Sequence, residues 1–272
     1  MMDGYRRIVD PLLAAIKSES GVVIAKLHRE PGRSADSLAD MGGSSAYVKE
    51  ITEKLSFVKT EILARLAIEG VAREWFAHSH IFLNIEMSDE IFAALVRPLD
   101  IVRYILRAFV LHASIVKPLD EACKLQLTSD MTELEFSLGA FVSEGKGAKR
   151  GGGGGGLDAA GSEYRALRAL RPLLFLETAR LAEPAATAGL PPLVVLHHIL
   201  VRAPIPLPHT LHGWQAPEYV RWVEEHSEEE ALTLVDGGIT HWEKTSEAEG
   251  RDPATEFVAL ARSVLANANA KA

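Results

Sequence analysis

The sequence predicts an all-α fold: stacked helical bundles in a rod-like arrangement, with little or no sheet. Apolar residues return at spacings of 3 and 4 throughout, alternating strand patterns are scarce, and capping signals stand before several apolar runs. A seam that steps 3 and 4 lies along one helix face and needs a partner helix to cover it. A chain of such seams reads as nine or so helices packed on one another.

In chain order, "MMDGYRRIVDPLLAAIKSES" lacks an apolar stretch followed by a small-residue cleavage site. It reads as a helix, apolar at Ile8, Leu12, Ala15 and Ile16. A break at 29–45 leads to the seam Val48, Ile51, Leu55, Val58 and Ile62, and Ser88 before Asp89 and Glu90 reads as a helix N-cap. Residues 99–116, "LDIVRYILRAFVLHASIV", are the longest apolar stretch, interrupted by Arg103, Arg107 and His112. Charges at a membrane centre cost roughly 2.5–3.5 kcal/mol each. With Asp100, Arg103, Arg107 and Ser114 as a narrow polar stripe, the stretch predicts a nearly surrounded core helix. The echo of "VRPLD" (96–100) in "VKPLD" (116–120) marks two helix junctions.

Leu127, Met131, Leu134, Leu138 and Phe141 form the next seam, before the glycine-rich stretch 145–161. Leu167, Leu170, Leu174 and Leu181 follow, with Pro172 expected to kink or restart that helix. Breaks fall at 183–192 and 203–213. Trp214 and Trp222, eight residues apart, are expected on one helix face, packed in the core. Ser227 with Glu230 makes a capping box for the helix of Leu232, Val235, Ile239 and Trp242, which Gly237-Gly238 weakens by roughly 1 kcal/mol per glycine. Asp252-Pro253 is read as a cap and first helical residue. The organisation is a helical bundle at 1–144, a flexible Gly-rich linker at 145–161 and a C-terminal bundle at 162–272.

Composition narrows the function. The 272 residues are 47% apolar, enough for a sizeable core, and 37 acidic against 29 basic residues give a net charge of −8. Phosphate neutralisation needs a basic balance, so nucleic acid is not an expected partner. The single cysteine, Cys123, rules out an intrachain disulfide and fits a reducing compartment.

No residue earns a catalytic, cofactor or metal role from its pattern, so none is assigned and no cofactor is expected. Gly151, Gly153 and Gly156 satisfy G-x-G-x-x-G, but a helical seam precedes them where a strand is required. The Gly-Lys of Gly145-Lys146 is followed by Gly147, not Ser or Thr. The run therefore reads as a slack connection between helices. Of ten histidines, His78 and His80 point apart on a helix, His197 and His198 are adjacent, and His209 and His212 lie in a proline-rich loop where a helical turn could bring both rings together. With no His-Glu-x-x-His and no carboxylate at ligand spacing, these are expected as surface or loop-packing histidines. There is no Gly-x-Ser-x-Gly elbow and no Asp-Asp pair of the kind all-helical prenyl transferases need, and Cys123 reads as a small interior or junction residue. Arg165, Arg168 and Arg171, with Lys149-Arg150, could meet an acidic partner or anionic lipid, or be solvated arginines. "EEHSEEE" (224–230) reads as a charged helix junction.

Several segments are identifiable together. "HASIVKPLDEACKLQLTSDMTELEFSLGAF" (112–141) resembles the signature stretch of subunit five of the conserved oligomeric Golgi complex. "YRALRALRPLLFLE" (164–177) is similar to the family's following Arg-rich helix, and "IVDPLL" (8–13), "VRAP" (201–204) and "YVRWVEEHSEEE" (219–230) fall in the family's order. The likeness spans about residues 5 to 268. It implies a non-catalytic vesicle-tethering subunit of retrograde intra-Golgi transport, peripheral at the cytosolic face of the Golgi membrane. Its implied partners are the other subunits, notably subunit seven, and through them SNAREs and Rab GTPases. It further implies that the chain corresponds to the family's C-terminal third, that Cys123 stands where glycine is usual, and that the glycine run is an insertion. Two other readings stay open: a helical scaffold of another membrane-trafficking tether, exocyst-like, and an all-α enzyme with an unrecognised site.

Overall fold

The computed structural model describes residues 2–28, 44–57, 98–117, 119–143 and 156–270, with the side chains of 2–9 and 12 left aside. The caps at Ser88–Glu90, the pair His78 and His80, Val58, Ile62, the glycines up to 155 and Lys149-Arg150 lie outside these residues. Among the described residues the protein is all-α, with ten α-helices and no strand. They are α1 (Met2–Ile24), α2 (Ala46–Phe57), α3 (Pro98–Ser114), α4 (Glu121–Ser143), α5 (Ser162–Leu173), α6 (Pro192–Arg202), the single turn α7 (Pro208–Leu211), α8 (Ala216–Glu225), α9 (Glu228–Glu249) and α10 (Thr255–Asn269).

The centre is α3. Twelve of its seventeen residues are buried, among them Ile101, Ile105, Leu106 and Phe109. It packs against α1, α4, α5, α6 and α8. The expected polar stripe is narrower than its sequence suggests: Arg103 and Arg107 reach solvent, but Ser114 and His112 are buried. The apolar stretch was bound to bury its end, because α6 crosses there and is itself apolar on all sides (PLVVLHHILVR).

The seam Leu127, Met131, Leu134, Leu138 and Phe141 of α4 is wholly buried, as are Val48, Ile51 and Leu55 of α2, and these two helices pack together. In α1 the buried face is Leu13, Ile16, Ser20, Val23 and Ile24, and the expected Ala15 is exposed. Each fully buried leucine or isoleucine contributes about 1.5–3 kcal/mol relative to an exposed one.

After the glycine run comes a 3-10 turn, Leu157–Ala160. Leu157 is fully buried, a Cβ on Gly139 of α4 would sit 3.8 Å from it, and Arg103 of α3 donates to Ala159 O at 2.9 Å. Buried side chains before and after the run belong to one hydrophobic cluster. The segment expected as a linker thus separates two runs of helices that share a core.

Helix ends correct several expectations. Pro172 neither kinks nor restarts α5; it sits in the last turn, and the helix stops at Leu173, leaving Leu181 buried but outside it. Ser227 and Glu230 make the expected capping box. Asp252-Pro253 does not begin a helix. Asp252 Oδ1 accepts from Ala254 N at 2.9 Å, and α10 starts at Thr255 behind a left-handed Ala254. Trp214 precedes α8, so it shares no helix with Trp222; a turn brings the two rings to 6.0 Å.

Candidate functional site

Among the described residues several polar clusters tie the helices together, and four of them hold the buried histidines, Asp130, Arg202 and Glu135. The first centres on Asp130 of α4, 1% exposed. It accepts from Ser45 N at 2.8 Å, Ser45 Oγ at 2.7 Å, Gln126 Nε2 at 2.9 Å and Tyr47 OH. A buried carboxylate satisfied by four donors needs no counter-ion. Here it anchors the start of α2, where helix N–H groups lack partners.

The second cluster lies under the α3–α6 crossing. His197, expected as a surface or loop-packing histidine, is 1% exposed. Its Nδ1 is 2.9 Å from Ser114 Oγ and its Nε2 is 2.8 Å from Tyr219 OH. Ser114 Oγ donates to Leu111 O at 2.7 Å, which uses its one proton. His197 Nδ1–H must then donate to Ser114, and Tyr219 O–H to His197 Nε2. Activating a serine nucleophile needs a bare nitrogen facing the hydroxyl, and this polarity is the reverse. Beside it His28 Nε2 and His112 Nδ1 are 2.8 Å apart. Burial, reinforced by neighbouring histidines, lowers the pKa of His28 to about 4 and those of His112 and His197 to about 3. All three are neutral at pH 7. Burial and nearby Lys117 lower His209 as well.

The third cluster is built on His198 and Arg202, both on α6. Arg202 Nη2 donates to Leu173 O at 3.0 Å and Leu174 O at 3.2 Å, and Nη1 donates to Leu176 O. Leu173 is the last residue of α5 and Leu174 and Leu176 lie in the turn just beyond it, where a cation also meets the negative end of the helix dipole. His198 packs between them, its Nε2 3.1 Å from Leu173 O, and burial with Arg202 lowers its pKa to about 3.

In the fourth, Glu135 of α4 accepts from Tyr164 OH and, at 3.1 Å, from Arg171 Nη2 of α5. Arg171 is thereby an internal partner, Arg168 lies over the Tyr164 ring, and Arg165 is exposed. The helical turn expected at His209–His212 forms as α7, but the rings diverge: His209 faces Tyr219 and His212 stacks on Trp214. Cys123 is buried in the first turn of α4, where Asp120 Oδ1 accepts its N–H, and burial with Asp120 and Asp130 raises its thiol to about 11, an unreactive state. Among the described residues no group of three or more His, Cys, Asp or Glu stands close enough to hold a metal ion. None of their helices is long and apolar enough to cross a membrane.

Surface features remain. Phe136 of α4 is 74% exposed, with Leu125 on the same face, and Val22, Phe57 and Phe175 are also exposed. Open grooves lie between α3, α5 and α6, lined by Arg107, Arg165, Leu190 and Val194, and between α7, α8 and α9. The first is made by helices distant in sequence, the second by three consecutive ones.

The polar clusters thus serve the packing of an all-α bundle, and the open features are surfaces. Three curated relatives give this bundle its kinship. The chain is 29% identical to conserved oligomeric Golgi complex subunit 5 of Arabidopsis thaliana over 82% of its length, covering 24% of that protein. It is 25% identical to the Mus musculus protein of that name over 85% of the chain, again 24% of the relative, and 22% identical to the Drosophila melanogaster one over 86%, or 27% of the relative. The chain is a homologue of conserved oligomeric Golgi complex subunit 5, and spans about a quarter of the length of the relatives it matches. No family model and no solved structure matches it.

Proposed function

We propose that the chain acts as a non-catalytic, protein-contacting part of the conserved oligomeric Golgi complex, tethering vesicles in retrograde intra-Golgi transport. The observation that carries this reading is the likeness to three subunit 5 proteins, from a plant, a mammal and an insect, over more than four-fifths of the chain. The buried polar groups support it, since their hydrogen bonds join helices to one another. In this reading the chain is peripheral at the cytosolic face of the Golgi membrane. Its contacts are other subunits, notably subunit seven, and through them SNAREs and Rab GTPases. The residues of 145–161 act as the connection between the two runs of helices, without a ligand role.

The test is affinity purification of the tagged chain from cells, followed by mass spectrometry. Enrichment of Golgi-complex subunits over exocyst subunits is expected. Equal recovery of both, or exocyst alone, contradicts the assignment.

A further inference from the structure

A groove of about 530 Å3 runs between α7, α8 and α9, walled by Leu211, His212, Trp222, Leu234, Gly237 and His241. Its floor contains an anomaly. Gly237 and Gly238 sit mid-helix, where each weakens α9 by roughly 1 kcal/mol relative to alanine. Gly238 has a reason within the fold: a Cβ there would lie 3.0 Å from Leu211 Cδ1, so the glycine lets α7 approach. Gly237 has none. A Cβ there meets nothing within 4 Å, its backbone is not left-handed, and it faces the groove. A glycine in that position keeps helix backbone open to close approach from outside.

The flanks of the groove are acidic. Glu218 and Glu225 stand four residues before and three after Trp222, on its side of α8, and are exposed; Glu229 and Glu230 are exposed at the start of α9. Residues 216–252 hold eleven Asp and Glu against three Lys and Arg, Arg221, Lys244 and Arg251. The rest of the chain balances at 26 of each sign, so the whole net charge of −8 resides in this stretch. The wall from Glu230 to His241 extends about 16 Å at 1.5 Å per residue, or three helical turns.

We propose that this groove receives a basic amphipathic helix of a partner protein, about three turns long. Its apolar side chains fill the space over Gly237 against Trp222 and Leu234, and its Lys and Arg residues meet Glu218, Glu225, Glu229 and Glu230. An apolar floor with an acidic rim excludes acidic helices by like-charge repulsion and fixes the orientation of basic ones. The inference stands whether or not the chain enters the Golgi complex.

The test uses the full chain and two fluorescent synthetic peptides about 18 residues long, both with leucines along one helix face, one carrying lysines and the other glutamates elsewhere. Fluorescence anisotropy should show saturable binding of the lysine peptide at least about tenfold tighter than of the glutamate peptide. Gly237→Leu fills the groove without changing charge and should weaken the lysine peptide at least about tenfold with the melting temperature maintained. Gly237→Ala, which adds one methyl into open space, should weaken it about two- to fivefold and serves if the leucine variant does not fold. Glu218→Lys with Glu225→Lys should reverse the preference between peptides. Absence of saturable binding, equal binding of both peptides, or equal affinity of wild type and the Gly237 variants overturns the proposal.

Discussion

Lowering the pH from 7.5 to 5 should unfold this protein far more readily than its carboxylates alone would. His112, His197 and His198 are each almost wholly buried and neutral, with pKa values lowered to about 3. In the unfolded chain a histidine titrates near 6.5. A group whose folded pKa is depressed in this way contributes stability fully above pH 6.5 and loses it as pH falls, since the unfolded state takes up the proton first. Over this interval each imidazole forfeits about 2 kcal/mol. The three together forfeit about 6 kcal/mol, against roughly 5–15 kcal/mol for the stability of a whole domain. His28 and His209, only half-buried, add a smaller amount of the same sign. Glu224, whose pKa is raised by burial, works the other way at lower pH. Urea denaturation followed by far-UV circular dichroism at half-unit steps measures the effect, with His197→Gln expected to lessen the loss by about 2 kcal/mol. A total loss below about 2 kcal/mol, or an unchanged pH slope in His197→Gln, would refute the reasoning.

Other perturbations follow from the same packing. Asp130→Ala removes the buried acceptor shared by Ser45 N, Ser45 Oγ and Tyr47 OH and should cost about 3–5 kcal/mol in urea denaturation, with Asp130→Asn milder. Arg202→Met uncovers the Leu173, Leu174 and Leu176 carbonyls and should cost about 2–4 kcal/mol; Arg202→Lys should not restore it, because an ammonium lacks the planar fork. If residues 150–155 are replaced by a specific protease site and cut, the two halves should co-elute on gel filtration through their shared core. Separate elution would place two independent bundles on either side of the run.

Much of the fold was legible because helix periodicity is local. The buried face of α4 follows directly from the steps between Leu127 and Phe141, and the Ser227–Glu230 box needs only four residues. What failed depended on which helix lies opposite. His197 and His198 read as surface or loop-packing histidines, yet the flanking Val-Val-Leu and Ile-Leu-Val already mark α6 as apolar on every side. Asp130 meets Ser45 across 85 residues, and no local pattern announces that. Arg202 satisfies a helix end 26 to 29 residues away. Asp252-Pro253 has the composition of a helix start, but Asp252 spends its carboxylate on an Asx-type turn instead. The groove over Gly237 had a signal, two adjacent glycines inside a capped helix, although the reason for the first is visible only once Leu211 is seen to explain the second.

The central claim, that this bundle is a contact-making part of the Golgi tethering complex, is tested most directly by sedimentation of the purified chain with purified subunit seven, beside full-length subunit 5 as reference. The account predicts a stable complex with a Kd below about 10 μM, formed by the chain and by the reference. A complex with full-length subunit 5 and none with this chain would contradict it.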